Sequence, residues 1–77
     1  MIGLAELMGQ NVTFFCVNYI VAGKLVAFSD TDAKLEDASI VYETGLFSNP
    51  EWKDASKFPN KYWYVNRTAV ETFGILK

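Results

Sequence analysis

The segment VAGKLVAFSDTDAKLEDA, residues 21–38, contains the pattern that decides the fold. Its apolar run carries a glycine at position 23 and leads into the polar turn at residues 29–32, after which leucine returns beside a second acidic pair. Valine and aromatic residues are typical of β-strands. A glycine inside a strand usually marks a bulge or a close approach of two backbones. We therefore predict two strands joined by an acidic turn, with a bend at Gly23.

The rest of the chain adds a short helix and three more strands. Apolar residues at helical spacing predict a helix over residues 2–9. The first two strands are expected at residues 12–17 and 19–28, separated by a turn at Asn18, because asparagine tolerates positive φ. The third strand lies within residues 34–43, the fourth at residues 62–65 and the fifth at residues 69–76. Both prolines fall in residues 45–61, which we expect to form a long loop with one helical turn at residues 50–56.

Length and composition indicate a single small domain, residues 1–77, with more apolar residues than its core needs. A chain of 77 residues buries only about 60% of the surface that its unfolded form exposes. Yet 51% of the residues are hydrophobic and 16% are aromatic. Assembly of several copies would cover the excess, so we expect a homo-oligomer.

Charge and the chemistry-bearing residues exclude several classes of protein. One cysteine and no histidine leave no internal disulfide and count against a zinc site. No enzyme motif occurs, so we expect no catalytic activity, no cofactor and no metal. Cys16 lies among bulky apolar residues and is expected to be buried and inert. A net charge of −2 counts against a generic basic nucleic-acid patch.

The N-terminal residues MIGLAELMGQ are too few and not apolar enough for a signal peptide or a transmembrane segment. A lone cysteine agrees with a reducing compartment. We therefore expect a cytoplasmic protein with no membrane partner.

The chain resembles the Sm-like (Sm/LSm) family. The first family motif is matched in outline, with a turn one residue shorter, by Gly23, Leu25, Phe28, Asp30, Leu35, Glu36, Asp37 and Ala38. Residues 64–70, YVNRTAV, take the place of the second motif, a strand, a tight turn and a final strand. The sequence is also similar to the small Sm-like proteins of marine phages, which would place it in the host cytoplasm. The resemblance implies a mainly β fold, in which a short helix precedes a strongly bent five-stranded SH3-like barrel.

The resemblance also implies a closed ring that binds single-stranded nucleic acid, with RNA favoured over DNA. Two turns on one rim would supply the nucleic-acid contacts, through Asp30, Thr31, Asp32, Asn66, Arg67 and Thr68. The fourth strand of one subunit would pair with the fifth strand of the next, with an interface at Tyr62, Trp63, Tyr64, Val65, Val70 and Phe73.

The chain departs from the family pattern at the nucleic-acid site. The base-stacking position falls near Asp30, which has no aromatic plane, and the family asparagine falls at Asp32. The family arginine and glycine fall at Asn66 and Arg67, so Arg67 is displaced by one residue. Two alternatives therefore stay open: an oligomeric scaffold or virion-assembly module without nucleic acid, and a monomeric OB-type or SH3-type barrel that uses exposed tryptophans.

Overall fold

The computed structural model describes residues 3–77, which form six strands and two short 3-10 elements. The strands are β1 (Asn11–Cys16), β2 (Ile20–Phe28), β3 (Asp32–Glu43), β4 (Asp54–Lys57), β5 (Tyr62–Asn66) and β6 (Val70–Gly74). A 3-10 helix at Leu4–Leu7 precedes them, and a 3-10 turn at Arg67–Ala69 joins β5 to β6. Within the described residues the strands form one antiparallel sheet that does not close, in the order β4-β3-β2-β1-β6, with β5 also paired to β3.

The long strand β3 organises the sheet because it changes partner midway. Its first part, residues 32–36, pairs with β5, and its second part, from Ser39 onward, pairs with β4. The change occurs at Asp37, which has a φ of 53° and donates its N–H to the carbonyl of Lys61 (2.9 Å). Aspartate tolerates this left-handed conformation better than most residues. The register of β2 against β3 shifts at the same level, around Gly23, where the sequence predicts a bend.

The core is formed by alternate residues of the strands and is covered at one end by the 3-10 helix. Its buried apolar cluster consists of Leu4, Val12, Phe14, Cys16, Val21, Leu25, Ala33, Leu35, Ala38 and Val65. Strands β1, β2, β3 and β5 contribute residues to this cluster. Strand β6 packs Phe73 against Phe14, with ring centroids 5.8 Å apart. Strand alternation is therefore the source of most of the core.

The N-terminal helix is shorter than expected. It is one 3-10 turn, Leu4–Leu7, between Gly3 with a φ of 105° and Met8 in an extended conformation. Position 2, where the helix was predicted to begin, lies outside the described residues.

The prediction of five strands is wrong because residues 45–61 contain a sixth. Its sequence, DASK, has little strand propensity, and all four residues are exposed. It forms β4 because the second part of β3 offers a backbone partner, which a propensity argument cannot see. The helical turn expected at residues 50–56 is replaced by a bent, irregular segment and the beginning of β4.

Candidate nucleic-acid interface

The β2–β3 turn and the β5–β6 turn lie side by side, which is the arrangement that the family resemblance implied. The Arg67 N–H donates to the carbonyl of Thr31 (2.8 Å), and the Arg67 guanidinium donates to the carbonyl of Ser29. Asp32 is paired in register with Asn66. The structure therefore brings the six predicted nucleic-acid residues to one edge of the sheet and shows Arg67 as the residue that joins the two turns.

The β2–β3 turn is closed by serine rather than by aspartate. The Ser29 hydroxyl oxygen accepts hydrogen bonds from the backbone N–H groups of Thr31 and Asp32, each at 3.2 Å. The Thr31 hydroxyl donates to the Asp32 carboxylate (3.2 Å). The Ser29 hydroxyl therefore closes this turn, and Asp30 is left exposed.

Asn66 and Thr68 build the β5–β6 turn. The Asn66 side-chain oxygen accepts from the Thr68 backbone N–H (3.0 Å) and from the Thr68 hydroxyl (2.9 Å). This is the usual way in which asparagine caps the start of a helical turn. The Asn66 side-chain oxygen and the Thr68 hydroxyl are therefore engaged within the turn, where they help to position Arg67.

An aromatic face lies beside the turns, on strands β3 and β5. It consists of Lys34, Tyr62 and Tyr64, with Phe28 at the adjoining end of β2. All three aromatic residues are exposed: Tyr62 by 38%, Tyr64 by 60% and Phe28 by 40%. The Lys34 Nζ lies 4.2 Å from the Tyr62 ring centroid and 5.9 Å from that of Tyr64. A shallow pocket of about 240 Å³ separates Phe28, Lys34 and Tyr64.

Phe28 and Lys34 are the two residues of this surface that sequence reasoning missed. The Arg67 guanidinium lies 5.7 Å from the Phe28 ring centroid, so the aromatic plane missing at Asp30 is found two residues earlier. Lys34 is paired in register with Tyr64 on the solvent side of the sheet. The signal available in the sequence was the alternation of charged and apolar residues from Asp32 to Glu36, which places Lys34 on the exposed face of the strand.

Charges on and around the aromatic face nearly cancel. The Lys61 ammonium lies 3.7 Å from the Glu36 carboxylate and 5.5 Å from the Tyr62 ring centroid. Asp30 and Asp32 lie in the turn next to Arg67. Exposed ion pairs contribute little net energy. The surface therefore offers aromatic planes with cations beside them rather than a strong positive potential.

The predicted interface residues divide into inward and outward sets. Val65 is buried in the core, and Trp63 stacks on Phe58 with centroids 3.9 Å apart and planes at 6°. Tyr62 and Tyr64 lie on the opposite, exposed face of β5. Val70 packs against the core, while Phe73 is 40% exposed. Within the described residues β5 pairs only with β3, and β6 only with β1, so each strand has one free backbone edge.

Cys16 is buried, as predicted. Burial raises the pKa of its thiol, the nearby Glu71 carboxylate raises it further, and a hydrogen bond with Tyr19 works in the opposite direction. The residue lines an open groove of about 450 Å³ that continues along Ile40 and Tyr42. The raised pKa keeps the thiol in its protonated form, which is a weaker nucleophile than the thiolate.

The described residues contain no cluster of metal-ligating side chains and no helix that could cross a membrane, and comparison with known proteins finds no match. Among residues 3–77, no three histidine, cysteine, aspartate or glutamate side chains are grouped so that they could hold a metal ion. No helix in the same part of the chain has the length and apolar character needed to cross a membrane. No family model, no curated protein and no solved structure matches this chain.

Proposed function

We propose that this protein binds single-stranded nucleic acid without catalysis, through the aromatic face and the two adjoining turns. The observation that carries the proposal is the set of three exposed rings, Phe28, Tyr62 and Tyr64, with cationic side chains against them. Bases of any sequence stack on aromatic planes, and each stack is worth about 1–3 kcal/mol. The Sm-like resemblance supports RNA over DNA and a role in nucleic-acid processing or regulation.

The residues of the surface have different roles in this proposal. Tyr64 is the most exposed of the three rings and is the main stacking platform. Lys34 lies between the two tyrosine rings, where its ammonium can meet a phosphate next to a stacked base. Arg67 holds the two turns together and covers part of Phe28, so it positions the rim. Because the charges nearly cancel, stacking contributes more to affinity than long-range attraction does.

Replacing Tyr64 with alanine is expected to weaken oligonucleotide binding roughly 5- to 150-fold, which corresponds to the loss of one base stack. Fluorescence anisotropy with labelled U12 and dT12 at one fixed salt concentration measures the effect. The Tyr64→Phe variant keeps the ring and is expected to keep the affinity. Tyr42→Ala is the matched control, because Tyr42 is 59% exposed at the other end of β3. Equal binding by Tyr64→Ala and the wild type would contradict the proposal.

A second function, self-assembly into a homo-oligomeric scaffold, is favoured by the free edges of β5 and β6. Unpaired strand edges invite pairing with another chain. If β5 of one copy pairs with β6 of the next, the contact is heterologous, and a closed ring pairs the free edges of β5 and β6 in every copy. Edge pairing uses backbone groups and leaves Tyr62 and Tyr64 accessible on the face. A ring could therefore present several aromatic faces together and gain affinity through multivalency.

Light scattering after size exclusion is expected to give a mass of more than two 8.7 kDa chains at micromolar concentration. The physical reason is that each copy has two free edges, one on β5 and one on β6. A dimer joined at a single β5–β6 contact would leave one β5 edge and one β6 edge unpaired. A monomeric mass would remove the ring. A defined ring that binds neither U12 nor dT12 would instead establish the scaffold or virion-assembly function.

A further inference from the structure

The ammonium group of Lys77 is enclosed by a loop, residues 44–52, that lies far earlier in the chain. Its Nζ donates to the carbonyl oxygens of Thr44 (2.6 Å), Leu46 (3.0 Å) and Glu51 (2.8 Å). The Trp52 ring centroid lies 4.8 Å away. All three N–H donors of the ammonium are thereby satisfied, and an aromatic ring contacts the same charge.

The loop that encloses the ammonium, residues 44–52, has hydrogen bonds of its own. The Asn49 N–H donates to the carbonyl of Leu46 (3.0 Å), and the Glu51 N–H donates to the Asn49 side-chain oxygen (2.9 Å). Gly45 has a φ of 71°, a conformation that turns the chain sharply and suits glycine. The carbonyl of Leu46 accepts from both Asn49 and Lys77, which its two lone pairs allow. The walls of the site are therefore shaped in part by the loop itself.

Three carbonyl oxygens that converge on one point select a particular kind of ligand. Their dipoles repel one another unless a positive charge lies between them. Carbonyl oxygens can replace the hydration shell of a cation, as they do in selective channels. A primary ammonium brings three N–H donors, one for each oxygen, whereas a tetraalkylammonium brings the same charge and no donor. The geometry thus distinguishes a hydrogen-bonded ammonium from a cation held only by the aromatic ring.

We propose that the carbonyls of Thr44, Leu46 and Glu51 and the indole of Trp52 form a binding site for a primary ammonium group. Lys77 is its built-in occupant. Because this occupant is part of the chain, it fills the site at a high effective concentration and holds loop 44–52 against the C-terminal residues. The loop and the tail therefore open and close together. When the lysine ammonium is removed, the site accepts a primary amine from solution.

The test uses the full chain with Lys77→Met, which keeps an unbranched side chain and removes the charge. Amide hydrogen exchange at Asn49 and Glu51 is expected to accelerate at least about tenfold, the least that one hydrogen bond to a charged donor is worth. Acrylamide quenching of Trp52 is expected to rise in a Trp63→Phe background, where Trp52 is the one remaining tryptophan. Ethylammonium chloride is then expected to reverse both changes in the Lys77→Met protein.

Three controls make the result specific. Lys57→Met removes an exposed lysine from β4 and is expected to leave loop exchange unchanged. Tetramethylammonium chloride at the same concentration is expected to restore little, because it has no N–H donors. Unchanged exchange in Lys77→Met, or equal recovery with tetramethylammonium, would overturn the proposal. The exchange measurement does not require the Trp63→Phe background. It therefore tests the ammonium site even if that substitution disturbs the stacking on Phe58.

Discussion

Replacing Phe14 with alanine is expected to lower the free energy of unfolding by about 3–5 kcal/mol, the usual cost of removing a buried phenylalanine ring. Phe14 is 1% exposed and lies in the middle of β1, where it meets the ring of Phe73 on β6. The substitution removes both the core volume and the main side-chain contact between these strands. A domain of 77 residues has a total stability of only about 4–12 kcal/mol, so the loss is a large share of it.

Urea denaturation followed by far-UV circular dichroism measures this loss. Phe47→Ala is the matched control, because it removes the same ring from a position that is 62% exposed, and such a change is expected to stay within about 0.5 kcal/mol. A Phe14→Ala cost below about 1 kcal/mol would mean that the ring is not enclosed by the core as described. The comparison therefore tests burial directly, with the chemistry of the substitution held constant.

The strands rich in β-branched and aromatic residues were predictable, and the exposed strand held only by its partner was not. Runs of β-branched, aromatic and other apolar residues located β1, β2, β3, β5 and β6, with ends that differ from the structure by no more than two residues. The beginning of β3 was placed at Lys34 rather than Asp32, because Asp32 contributes no apolar side chain and joins the strand through its pairing with Asn66. For the same reason β4 was missed entirely, since its four residues are exposed.

The parts of the candidate site that lie in turns could be predicted from the sequence. The parts that depend on which strands pair, and in which register, could not. Turn chemistry located the two polar turns, and the family resemblance implied that they meet. The contact between Arg67 and Phe28 depends on the register shift between Leu25 and Ala27, which carries the end of β2 to the rim. No local pattern encodes that shift. The aromatic face likewise appears only when β3 and β5 are paired, because this brings Lys34 beside Tyr64.

The bend at Gly23 gives the second large expected effect. A Cβ atom at this position would lie 3.0 Å from both the Cα and the Cβ of Ala38, and 3.2 Å from the Cβ of Leu35. The nearest of these is backbone of β3, next to the Asp37 bulge where that strand changes partner. It cannot move without disturbing the pairing of β3 with β4 and β5. Gly23 is therefore required by the close approach of two strands.

Gly23→Val is expected to cost about 2–3 kcal/mol, although valine favours strands and glycine does not. Strand propensity alone would make the substitution stabilising by up to about 1 kcal/mol. Overpacking against fixed backbone costs about 1–3 kcal/mol for small additions, and valine adds three carbon atoms, so packing outweighs propensity. Gly74→Val in β6 is the matched control, because nothing lies within 4 Å of a Cβ built there. The same substitution should therefore have opposite signs at the two glycines in urea denaturation. If Gly23→Val proved as stable as Gly74→Val, the bend would be a local preference of the chain and not a consequence of the packing of β2 on β3.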